Sequence, residues 1–162
     1  MKKLFLSVSL LLALSLAAVT AQTTAEGHMK LSVSKALTVK ESVPMSFGAL
    51  VVSGEGTATV TPASMGTVTG LVAQSGAVSA DVFDLTGIPS SLVLLSLPAS
   101  ASLTNGVTTL YATAFKCSVA DLKIPLDANG KACIAIGATV TIPTVVSAGN
   151  YLGTYEITLN YQ

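Results

Sequence analysis

Tryptophan and arginine are absent from this chain, histidine occurs once, at His28, and cysteine twice, at Cys117 and Cys133. With no Arg, and with eight Lys balanced by eight acidic residues, there is no basic face for a phosphate backbone or an anionic membrane. A single His cannot build a His-based zinc cluster, and its place near the start of the expected mature chain suits a solvated side chain. Aromatic residues are 5% of the chain and Tyr111 is a lone mid-chain candidate, which weakens a sugar-stacking reading without excluding it.

The carboxylates are equally sparse. Asp81 and Asp84 stand three apart in an expected strand, so alternation sends them to opposite faces and denies them the role of a paired acid and base. Asp127-Ala128-Asn129-Gly130 lacks the further ligands and terminal Glu of a calcium loop and reads as a tight turn. Pro98, in Leu97-Pro98-Ala99-Ser100, ends a strand. The inventory supports no enzyme, and neither a cofactor nor a metal is expected.

Long apolar runs are also missing, except one. Lys2 and Lys3, the run Leu4 to Ala18 and the small-residue end Val19-Thr20-Ala21 make residues 1–21 an expected secretory signal peptide, leaving residues 22–162 as one slightly acidic domain. No membrane insertion is expected after cleavage, because the run falls short of the ~20 apolar residues that span a bilayer. The product is expected in the periplasm, at the surface or in the medium of a Gram-negative bacterium. In an oxidising compartment Cys117 and Cys133 are expected to pair, closing a loop worth roughly 3 kcal/mol.

What is abundant is period-two alternation with turn residues between the runs, which predicts an all-β domain. Met29, Leu31, Val33, Leu37 and Val39 form one apolar face, with Lys35 the single break, and Pro44 stops the strand. A hairpin is expected from 46–52 and 57–61 around Ser53-Gly54-Glu55-Gly56, then strands over 67–73, 78–85, 92–97 and 107–116, and a bent or bulged pair around Gly137 within 131–142. From Thr154 the chain alternates again, so that Tyr155, Ile157, Leu159 and Tyr161 share a face in a closing strand. Short strands at this spacing favour a sandwich over a barrel.

Met45-Ser46-Phe47-Gly48, Gly87-Ile88-Pro89, Leu126-Asp127-Ala128-Asn129-Gly130-Lys131-Ala132 and the stretch Gly149 to Tyr161, in that order, resemble a bacterial family of secreted domains of unknown function, number 4402, over nearly all of residues 26–162. The resemblance implies an immunoglobulin-like antiparallel β-sandwich, related to chaperone-usher pilus subunits and spore-coat proteins, with no established enzymatic activity. In that comparison Gly149 matches the C-terminal glycine of the pilus pattern and Tyr161 its penultimate aromatic residue. The expected function is that of a structural or adhesive subunit assembling by strand pairing through the faces at either end, with copies of itself or a periplasmic chaperone as partners. The alternative is a self-contained extracellular binding module for a glycan or protein.

Overall fold

The structure, a computed structural model, describes residues 28–31 and 35–162; the expected signal peptide, the residues up to 27, and Val33 lie outside the described residues. Two compact units divide the chain, Met1–Val33 and Ser34–Gln162. In the first, the described residues form no strand and leave Met29 and Leu31 exposed.

The second unit is an all-β antiparallel sandwich. Its strands are β1 (Thr38–Val43), β2 (Ala49–Val60), β3 (Gly66–Ser75), β4 (Asp81–Thr86), β5 (Leu92–Ser96), β6 (Ser100–Thr104), β7 (Thr109–Cys117), β8 (Lys123–Pro125), β9 (Lys131–Ile142) and β10 (Thr158–Tyr161). The long strand β9 organises the larger sheet. Its even-numbered residues Ile134, Ile136, Ala138, Val140 and Ile142 all point inward and are buried, as period-two geometry requires of a strand packed on one face.

On one side β9 pairs with β7, which pairs in turn with β6. On its other side it carries two arms in succession: β4 opposite 131–136, extended by β1, and β2 opposite 138–142, extended by β3. Gly137 lies where the arms divide. It is buried, and a side chain there would run into the backbone of Val60 and Thr61. The expected bend at Gly137 is therefore an uninterrupted strand, with glycine serving close backbone approach rather than a turn.

A similar correction applies at Ser53-Gly54-Glu55-Gly56. These residues lie inside β2, where the ladder to β3 shifts register between Val52 and Gly56, and the hairpin turns later, at Thr61 to Met65. Gly56 packs on the carbonyl of Thr69, and Gly70 takes a φ of 73°, so the glycines mark a bulge. The tight turn at Asp127 to Gly130 is as expected: the Asn129 and Lys131 amides donate to Asp127 Oδ1 at 2.8 and 2.7 Å, and Gly130 has φ 74°.

The smaller sheet, β10-β5-β8, covers only part of the larger one. Val93, Leu95 and Ile124 from it meet Leu85, Ile134 and Ile136 in a first buried cluster. The remainder of the inner face, around Leu110, Ala112, Val140 and Ile142, forms a second cluster topped by half-buried residues of loops and strand ends, among them Phe47, Leu50, Val146 and Tyr151. Strands β6 and β8 carry too little alternation for the pattern to predict them, being five and three residues long.

The expected disulfide is absent: Cys117 and Cys133 are free thiols. Cys117 stands opposite Ile136 and packs toward the first cluster, whereas Cys133, three residues from Ile136 and opposite the exposed Asp84, faces outward. The sheet itself separates them. Burial and the neighbouring Asp84 push the Cys133 thiol up. Unreduced, denatured protein is accordingly expected to show two reactive thiols per chain. In the native state Cys133 should label first, at a rate that increases with pH; mass spectrometry showing a protein two hydrogens lighter and unreactive would overturn this.

Candidate functional site

Because the smaller sheet stops short, a cleft of about 1070 Å³ opens over the second cluster. Its floor is the inner face of the large sheet at Leu110, Ala112, Val140 and Ile142. One wall is the chain from Pro44 into β2, bringing Phe47 and Leu50; the other is the irregular segment between β9 and β10, bringing Tyr151.

That second wall is pinned rather than loose. Leu152 and Thr104 exchange backbone hydrogen bonds of 2.8 and 3.0 Å at the edge of β6, and the Tyr151 hydroxyl donates to the Ser147 carbonyl at 2.7 Å. Between Leu152 and Thr158 the chain crosses to the smaller sheet, where Thr158 pairs with Ser96. A segment in transit between sheets cannot keep a ladder, so the closing strand begins at Thr158 instead of Thr154.

At the end of the cleft nearest β4 lies Asp81, 4% exposed. It shares the inward face with Phe83 and Leu85, opposite Ile136. The Tyr155 hydroxyl donates to Asp81 Oδ2 at 2.7 Å, and the Tyr155 ring lies against Phe115 with centroids 4.9 Å apart. Asp81 Oδ1 is buried without a hydrogen-bond partner. Burial raises the Asp81 carboxyl above the ordinary carboxylate value; the Tyr155 bond opposes this, and Glu41, which reaches the same end of the cleft from β1, adds to it. Burial and the Asp81 bond also hold the Tyr155 hydroxyl far up. A lone buried oxygen of this kind is costly and marks the position as a candidate site.

Of the residues singled out in the sequence, Tyr155, Ile157, Leu159 and Tyr161 all pack against the first cluster, and Leu159 and Tyr161 pair with Leu95 and Val93 of the chain's own β5. The Tyr161 hydroxyl accepts the Ile88 amide at 2.9 Å and donates to the Lys35 carbonyl at 3.3 Å. Gly149 is in no strand; it sits in the cleft wall with φ 151°, beside Asn105. Leu37 packs on the first cluster and Val39 pairs with Leu85, so these two belong to their own domain.

The pattern did not bring out Asp81, Phe47, Leu50 or Tyr151 as site residues. For Asp81 a signal existed: it is the polar member of the phase that holds Phe83 and Leu85. Asp84 is exposed on the other face, as alternation requires. Among the described residues no three His, Cys, Asp or Glu side chains come together as a metal would need.

No curated protein matches the chain. A family model described as "Domain of unknown function (DUF4402)" matches residues 37–161, which spans both sheets, the cleft and the Asp81–Tyr155 pair. The chain belongs to that family, domain of unknown function 4402.

Proposed function

We propose that this protein is a non-enzymatic structural or adhesive subunit, exported from the cell, whose cleft accepts an extended segment of another protein chain. The observation that carries the reading is the apolar cleft over Val140 and Ile142, which the smaller sheet does not cover, beside β6, whose outer edge Leu152 bridges at Thr104. A segment lying there would bury alternate side chains while its backbone is free to bond a strand edge, which is how extended peptides add to sheets.

A segment of suitable pattern precedes β1. Met29 and Leu31 are apolar, alternate and exposed, and Val33 continues the phase in sequence. Burying three such side chains at roughly 1.5–3 kcal/mol each would favour docking of the segment. The immunoglobulin-like character and the kinship with pilus subunits and spore-coat proteins belong to the same proposal, as do partners drawn from copies of the chain or a periplasmic chaperone.

The test is assembly. The chain from Gln22 onward is expected to form concentration-dependent oligomers by light scattering, while the same chain carrying Leu50→Lys remains a folded monomer, and removal of residues 22–34 has the same effect. An intact protein that is monomeric at millimolar concentration would sink the reading and leave a self-contained glycan- or protein-binding module as the better account.

A further inference from the structure

The acidic end of the cleft narrows the chemistry of what occupies it. Asp81 is buried to 4% exposure, one oxygen is held by Tyr155, and the other, Oδ1, has no partner. The ionisable groups acting on it are Tyr155, from the segment between β9 and β10, and Glu41, from β1, and neither is a cation. Two carboxylates thus stand together at one end of a cleft whose floor and walls are otherwise mostly apolar. They are too few for a calcium cage of six to eight oxygens. They suit a single ammonium on an apolar stem, which makes short charge-assisted bonds while its methylenes lie along the apolar walls.

The chain contains such a group in the right phase. Among the odd-numbered residues from 29 to 39, which are Met29, Leu31, Val33, Lys35, Leu37 and Val39, Lys35 is the only charge. Resting on the cleft reading above, we propose that Asp81 and Glu41 form an ammonium site that receives Lys35 from a second copy of this chain. With Lys35 at Asp81, the side chains of Val33, Leu31 and Met29 would follow at steps of about 6.7 Å along the apolar floor. Lys35 and Leu37 precede the first ladder pair of β1, Thr38 with Thr86. Leaving their own domain costs them the 3.3 Å Tyr161 bond and the partial packing of Leu37, but no ladder bond.

Two synthetic peptides decide it: one copying residues 28–37 and its Lys35→Met counterpart, each titrated calorimetrically into the chain from Gln22 onward at a concentration where it is monomeric. At pH 7.5 the native peptide is expected to bind about ten- to a hundredfold tighter. That advantage should fall to within about twofold on a protein carrying Asp81→Asn and Glu41→Gln, whose fold is checked by thermal melting, and should shrink as the pH is lowered and Asp81, whose carboxyl is raised by burial, takes up a proton. Equal binding of the two peptides to the native protein would overturn the ammonium site and leave the cleft reading standing. An advantage that persists undiminished on the double variant would place Lys35 elsewhere and overturn it too. Binding of neither peptide would remove the site together with donation of this segment into the cleft.

Discussion

Gly137→Ala is expected to destabilise the domain by about 1–3 kcal/mol, a large fraction of what a domain of this size has to lose. The reason is local and rigid. The added methyl would strike the Val60 carbonyl and lie against Thr61, and these are backbone atoms that no rotamer change can move aside. Relief requires parting β2 from β9 at the point where β9 passes from one arm to the other, which loosens Val60 and Ala138, each 1% exposed. The loss would appear as a lower urea midpoint with an unchanged slope. A change below about 0.5 kcal/mol, the usual range of a surface substitution, would show that the two arms move independently at that point.

Tyr155→Phe is expected to cost about 1–3 kcal/mol, because it leaves Asp81 Oδ2 as unpartnered as Oδ1 already is. The pH dependence has a definite sign. Asp81 in the folded protein is raised from 3.8, so the folded state favours its protonated form. The corresponding stability is fully present below the ordinary carboxylate value and is lost as pH rises through the higher folded one. The Tyr155 bond lowers the carboxyl, so removing it moves the folded value further up. The deficit of Tyr155→Phe relative to the native protein should therefore be smallest in acid and widen as pH rises. Asp81→Asn, which has no proton to lose, should gain on the native protein over the same range. In the Tyr155→Phe background it should recover part of the loss. Thermal melts at a series of pH values measure all three; a Tyr155→Phe deficit that is constant from pH 4 to pH 8 would mean that the hydroxyl acts through packing against Phe115 alone.

The reach of sequence reasoning differed from element to element for identifiable reasons. Alternation is a local property, so it established the all-β class, the common inward face of Tyr155, Ile157, Leu159 and Tyr161, and the opposite faces of Asp81 and Asp84. The turn at Asp127 was legible because its hydrogen bonds join residues two and four apart. The glycines at 54, 56 and 137 misled because a glycine that turns the chain and one that admits a neighbouring backbone look alike in sequence. The thiols misled because their faces depend on the register of β9 against β4 and β7, a non-local pairing.

What the sequence alone determined, then, is a strand-built domain in which side chains are assigned to faces, since a period of two needs no partner to express itself. The candidate site was decided only by tertiary structure. Asp81 is partnered by a tyrosine 74 residues away, and the cleft exists because the closing strand, four residues long, and its neighbours β5 and β8 cover one part of a face that β9 runs beyond. Alternation marks which side chains point inward, but how far the opposing sheet extends over them depends on where strands distant in sequence meet and where they stop.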